Sequence, residues 1–155
     1  MIKFAKLHGN GNDFIVIDEF ENEIIPENQK ADFAVKYCKR KFGIGADGVL
    51  YISGSESADM KMRLLQPDAS EAEMCGNGIR CLVKYAYDSG YISLGQSTVE
   101  TIADIYHVQT REDENGFWVN VNMGKPLIKR SDIPAKGNPE DYFINIDLHG
   151  YQVSV

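Results

Sequence analysis

Positive charge is in deficit in this chain, cysteine is scarce, and long apolar runs are missing. Sixteen Lys and Arg stand against 23 Asp and Glu, a formal charge of −7. A general nucleic-acid binder needs a basic face, so no nucleic-acid partner is expected, and Lys39-Arg40-Lys41 reads more simply as the basic last turn of a helix. No apolar stretch approaches the ~20 residues that span a bilayer. The N-terminus also lacks a signal-peptide apolar region, so no membrane role is expected. The three cysteines, Cys38, Cys75 and Cys81, form an odd set in a chain without an export signal, which predicts reduced thiols in a cytoplasm. The spacing of Cys75 and Cys81 suits neither a zinc knuckle nor a redox CxxC pair, so no metal site is expected.

What remains is ample for a folded core. With 155 residues, 43% of them hydrophobic, the chain suits one domain, or one domain plus part of another. Ile2 to Leu7 and Asp13 to Asp18 read as strands joined by His8-Gly9-Asn10-Gly11-Asn12, a turn-forming loop that can present Asn12 to a ligand. Glu27 to Phe42 reads as a helix opened by Pro26 and closed by Gly43, with Ala31, Ala34, Val35, Cys38 and Phe42 on its packing stripe. A glycine-rich loop, Gly43 to Gly48, leads into a strand over Val49 to Ser53. No Lys-Ser/Thr follows that loop, so it is a poor phosphate loop. Asp59 to Leu64 alternates as a half-buried strand does. Gln66-Pro67-Asp68-Ala69-Ser70 breaks it, and Ser70 and Glu73 have capping-box spacing.

The pivotal stretch is Glu71-Ala72-Glu73-Met74-Cys75-Gly76-Asn77-Gly78-Ile79-Arg80-Cys81. It places Cys75 where a helix begins, beside unpartnered backbone N–H groups and the positive end of the dipole. Such a place stabilises negative charge on sulfur and offers N–H groups to a docking carboxylate. Gly76 and Gly78 add no bulk and leave room for a small ligand at the backbone. On the residues alone, Cys75 is either this kind of functional thiol or an ordinary buried cysteine before a glycine turn. The helix itself should run from Gly76 to Asp88. Arg80, Lys84 and Asp88 form its one polar stripe, and Ile79, Cys81, Leu82, Val83, Tyr85, Ala86 and Tyr87 cover the rest. A helix so nearly apolar all round is enclosed by other structure, here by short strands on either side. Thr98 to Ala103, Ile105 to Arg111, Phe117 to Met123 and Tyr142 to Asp147 read as further strands. Lys125 to Glu140 reads as a proline-containing connection, and Gly150 to Val155 as another strand that the end of the chain cuts short.

Three blocks together resemble diaminopimelate epimerase: Lys6 to Phe14, Phe42 to Gly48, and Ser70 to Cys81. The resemblance continues through Val121-Asn122-Met123-Gly124-Lys125-Pro126 to the last residue. It implies an α+β fold in which short mixed strands form a barrel-like sheet around a central helix. Residues 1–116 would form the N-terminal domain with the first catalytic cysteine, and 117–155 the first strands of an incomplete second domain. The implied activity interconverts LL- and meso-diaminopimelate, for lysine and cell-wall precursors, without pyridoxal phosphate, metal or other cofactor. Two cysteines on opposite faces of the α-carbon carry it out, one removing the proton and the other delivering one.

Cys75 matches the first of these cysteines. Asn12, Gly76 and Asn77 match substrate-contacting positions, and Gln66 stands where many members have a substrate-binding asparagine. Gly48 stands where some bacterial members place a glutamine, and it supplies only backbone. Neither Cys38 nor Cys81 falls in a block that could provide the second cysteine. That residue is expected in a C-terminal domain lying beyond this chain, and the half-enzyme alone is expected to be inactive. A homodimer of the full-length enzyme is among the assemblies open to it. An amino-acid-binding module, a related cysteine racemase and a thiol redox protein are the alternative readings.

Overall fold

The computed structural model describes residues 1–133 and 135–154, which fall into two compact units, 1–122 and 123–155. The first is built on strands β1 (Ala5–Gly9), β2 (Asn12–Glu19), β3 (Gly48–Ser53), β4 (Met60–Leu65), β5 (Glu71–Ala72), β6 (Gly95–Glu100), β7 (Ile105–Asp113) and β8 (Gly116–Val121), with helices α1 (Glu27–Tyr37) and α2 (Gly76–Asp88). One sheet runs β1-β2-β3-β4-β6-β7-β8, with β5 on β4. The β2/β3 and β4/β6 pairs are parallel, and the other neighbours are antiparallel.

Side-chain alternation along β2 and β3 assigns the two faces. Phe14, Val16, Leu50 and Ile52 turn to one side and pack with Ile79, Leu82, Val83 and Ala86 of α2. Ile15, Ile17, Val49 and Tyr51 turn to the other and pack with Ala34 and Cys38. The sheet curls so that α2 touches strands from β1 round to β8, the enclosed central helix that the near-continuous apolar surface predicts. Cys81 is buried among those strands. The fold is α+β as expected.

Several boundaries differ from expectation. The first helix stops at Tyr37, with Cys38 as its C-cap. The loop turns back so that the Gly45 and Ala46 N–H groups donate to the carbonyls of Tyr37 and Cys38, at 2.9 and 3.1 Å. Those bonds occupy the last helical acceptors. Phe42, expected on the packing stripe, is 91% exposed, while Cys38 is buried as expected. Lys30, a charged residue with no place on an apolar stripe, is one of the two buried residues of α1. The sixth strand ends at Glu100, not Ala103. The Thr101 hydroxyl accepts from the Ala103 and Asp104 N–H groups, both at 3.2 Å, making a turn in place of a ladder. Ser70 caps no helix: its N–H and hydroxyl both donate to Asp68, at 3.0 and 2.6 Å, closing the turn between β4 and β5.

The second unit holds a 3₁₀ turn, Arg130–Asp132, and an antiparallel hairpin of β9 (Ile146–Leu148) and β10 (Tyr151–Val153). The strand expected over Tyr142 to Asp147 is therefore shorter and later, although Tyr142 makes an isolated bridge to Lys129. Pro134 of the expected connection and Val155 of the last expected strand lie outside the described residues.

Candidate active site

Cys75 is the N-cap of α2, in extended conformation at φ −151° and ψ 109°. Its carbonyl accepts the first helical bond, from Ile79 at 2.8 Å. Its sulfur accepts the Gly78 N–H at 3.3 Å, so the thiol takes the place that a Ser or Asp oxygen usually fills. Gly78 is needed for this. A Cβ there would lie 3.3 Å from the Cys75 Cβ, 3.6 Å from its sulfur and 3.2 Å from Leu50. Its missing side chain makes room for the cysteine and the core rather than for a ligand, which corrects the sequence-based reading of that glycine.

The β1–β2 hairpin turns at Asn10 and Gly11, both at positive φ, 55° and 85°, as the Asn-Gly step predicts. The hairpin carries Asn12 to the mouth of α2, where its Oδ1 lies 3.8 Å from the Cys75 sulfur and 3.4 Å from the Asn77 amide nitrogen. Asn10 also reaches Asn77, at 3.4 Å. Gly9 lies so close to Asn77 that a Cβ would stand 3.3 Å from its carbonyl oxygen. Arg80, one turn along α2, donates to the Asn77 side-chain oxygen. Cys75, Asn12, Gly76 and Asn77 thus converge at one helix end.

Gln66 is not part of that cluster of bonds. Its amide donates to the Ser70 hydroxyl at 3.0 Å, across the turn between β4 and β5. Gly48 begins β3, where a Cβ would sit 2.6 Å from Leu64 Cδ1, so the position is closed to any larger residue unless Leu64 moves.

A charged layer below Asn12 was not anticipated. Asp47 accepts from the Asn12 amide at 2.8 Å, from the Asp13 N–H at 3.0 Å and from Arg40 at 2.5 Å. Asp13 pairs with Arg40 at 2.7 Å and Lys6 at 2.5 Å. Hydrogen bonds from Arg40 and then Lys6 hold the Asp13 carboxyl well below the usual carboxylate range. The bond from Asn12, then the Asp13 N–H, lowers Asp47 as well. In the sequence, Asp47 was simply a residue of a glycine-rich loop. Its one signal is that Asp13 and Asp47 each lie inside a block that resembles the family.

The two other thiols have a different setting. Burial pushes both Cys38 and Cys81 up to about 11, which keeps them protonated and unreactive. Beyond Asn10, a groove of about 590 Å³ runs between β1 and β8 over α2, lined by Gly9, Asn10, Arg80, Lys84 and Trp118 among others. Among the described residues, no group of three or more His, Cys, Asp or Glu is placed to hold a metal ion.

The curled mixed sheet around a central helix is a fold shared with solved structures. A hydroxyproline epimerase from Agrobacterium vitis, solved with bound trans-4-hydroxy-L-proline, superposes with a TM-score of 0.56 over 77% of this chain and 40% of its own, at 18% identity. A phenazine biosynthesis protein from Bacillus anthracis gives 0.58 over 76% of this chain and 38% of its own, at 22% identity. These likenesses define the fold class. The family model for diaminopimelate epimerase matches residues 4–129. Diaminopimelate epimerases of Methanothrix thermoacetophila and Methanocella arvoryzae are 55% and 56% identical over 153 residues, 99% of this chain and 54% of each relative. The chain belongs to the diaminopimelate epimerase family, and it spans about half the length of these curated relatives.

Proposed function

We propose that this chain is the N-terminal half of a cofactor-independent diaminopimelate epimerase, with Cys75 as one of its two proton-transfer groups. The observation that carries the reading is the Cys75 sulfur at the mouth of α2, held by the Gly78 N–H at 3.3 Å and faced by the Asn12 amide oxygen, to which the Asn77 amide also donates. In one direction, the Cys75 thiolate takes the substrate α-proton and becomes a thiol. The C–H electron pair delocalises into the α-carboxylate, and a second thiol delivers a proton to the opposite face. The reverse direction exchanges the roles. An α-C–H is a very weak acid, so the developing charge needs fixed donors. Free N–H groups at the start of α2 are suited to this once water is excluded.

In this reading Asn12, Gln66, Gly76 and Asn77 contact the substrate, Gln66 only after leaving Ser70. Residues 1–116 act as the epimerase domain, and 117–155 open a second domain, although most of the β8 strand paired with β7 in the first compact unit then falls to the second. The second thiol comes from the part of the relatives' length that this chain does not span, and the half alone lacks turnover.

The test is solvent-deuterium incorporation at the α-carbon with separation of the LL and meso stereoisomers. The 155-residue chain alone should give no enzymatic rate. Adding the remaining half of a relative in trans should restore turnover, and Cys75→Ala should abolish it. Full turnover by the chain alone would overturn the two-thiol assignment. Ligand-induced stabilisation without exchange, even with the second half present, would favour an amino-acid-binding module.

A further inference from the structure

Asn12 and Asn77 are amides, and an amide can present either its oxygen or its nitrogen. Here each is set by a full charge. The Asp47 carboxylate can only accept, so Asn12 turns its nitrogen to it, at 2.8 Å. That leaves the Asn12 oxygen toward the Cys75 sulfur. The Arg80 guanidinium can only donate, so Asn77 turns its oxygen to Arg80 and its nitrogen to Asn12. The two constraints agree on one direction along the whole chain of bonds. Asp47 is itself fixed: Arg40 holds one oxygen, the Asp13 N–H holds the other, and the Asp47 N–H donates to the Asp13 carbonyl at 2.8 Å.

We propose that Asp47 is a positioning residue that locks the Asn12 amide with its oxygen toward Cys75, so that Asn12 accepts the S–H proton and any donor of a bound ligand. The sulfur then sits between opposing partners. The Gly78 N–H favours the charged sulfur, and the Asn12 oxygen favours the protonated one. A group that must both release and receive a proton needs that balance. An acceptor oxygen facing the ligand also suits the ammonium of an amino acid rather than its carboxylate. This deepens the reading of Cys75 as a proton-transfer thiol. Its test reads the sulfur directly, with no substrate and no second half, so a failed turnover experiment leaves it standing.

The measurement is the pH–rate profile of Cys75 alkylation by iodoacetamide in the 155-residue chain, followed by peptide mapping. The charged and titratable groups around the site are Asp47, Asp13, Arg40 and Lys6 on the hairpin and loop side, and Arg80 and Cys81 on α2. Asp47→Asn keeps the shape but frees the Asn12 amide to turn its nitrogen to the sulfur. The profile should move to lower pH by about 0.5–1 unit, the worth of one hydrogen bond. Asp47→Glu, which keeps the charge, should retain the native profile.

Asn12→Ala alone should move the profile in the same direction, and in that background Asp47→Asn should add nothing. An equal Asp47→Asn shift with and without Asn12 would mean a through-space charge effect and overturn the proposal, as would no shift. Cys38 and Cys81 report folding by staying unlabelled. If Asp47→Asn exposes them, Asn12→Ala decides the matter, and an unmoved profile there overturns the proposal.

Discussion

Replacing Lys30 by Met tests how α1 is held to the sheet. Lys30 is 3% exposed. Its ammonium lies 2.5 Å from a Glu19 oxygen, 2.8 Å from the Ile25 carbonyl and 4.5 Å from the centre of the Tyr51 ring. The Glu19 side chain is only 8% exposed, so both members of the pair are out of water. Met fills the volume of the Lys stem but leaves the Glu19 carboxylate without its cation. Removing one partner of a buried pair costs roughly 3–5 kcal/mol. Glu19 still accepts the Ile24 and Ile25 N–H groups, at 3.1 and 2.9 Å, so the lower end applies, about 3 kcal/mol. For a chain of this size that is a fall of roughly 6–12 °C in Tm. Lys30→Met with Glu19→Gln should recover most of it, because a neutral amide needs no cation. Calorimetric or circular-dichroism melts of the two single variants and the double variant give the answer. A single-variant loss below about 1 kcal/mol, or a double variant no better than Lys30→Met, refutes the reasoning.

Three further outcomes are expected. Limited alkylation at neutral pH should label Cys75 ahead of Cys38 and Cys81, because only Cys75 is not buried; preferential labelling of either buried thiol in the folded chain contradicts the site. Leu82→Ala should cost roughly 2–5 kcal/mol, since Leu82 is fully enclosed by the curled sheet, and an unchanged urea midpoint counts against the enclosed helix. Cys38 and Cys81 are raised to about 11 when folded, against about 8.5 in an unfolded chain. Their contribution is complete below about 8.5, and it is lost as the pH rises through 11, because the unfolded state then binds fewer protons. Urea midpoints should therefore fall between about pH 8.5 and 11, and less steeply in Cys81→Ala; an identical slope shows that this thiol is not responsible.

How much was legible depended on whether a residue's role is set by its neighbours in sequence. The limits of α2, Gly76–Asp88, follow from a local pattern: an apolar surface, a capping residue and Gly90 at φ 78° just past the end. The Asn-Gly hairpin was legible for the same reason. Phe42 misled because an apolar residue at helical spacing reads as core whether or not the helix continues. What ends α1 early is donation from Gly45 and Ala46, a matter of loop path. Lys30 and Asp47 were invisible because a charge reads as surface unless its partner is known. Glu19 and Arg40 lie 11 and 7 residues away from them, with nothing in the spacing to link them. Cys75 and Asn12 stand out locally, as a thiol at a helix start and a residue of a turn-forming loop, while Asn77 and the roles of all three come from resemblance to a family. Their convergence rests on a contact between Asn12 and Asn77 across 65 residues.

The order of the strands also bears on how the chain is made. On the ribosome β1 to β4 emerge before α2, so they can supply at most a trough for it. The opposite wall, β6 to β8, follows the helix. At 5–20 residues per second, Ile79, Leu82, Val83 and Ala86 spend on the order of seconds as an unroofed apolar ridge. Nascent-chain partners that cover such ridges should therefore engage this protein once α2 has left the tunnel, and release it when the β6–β7–β8 meander closes.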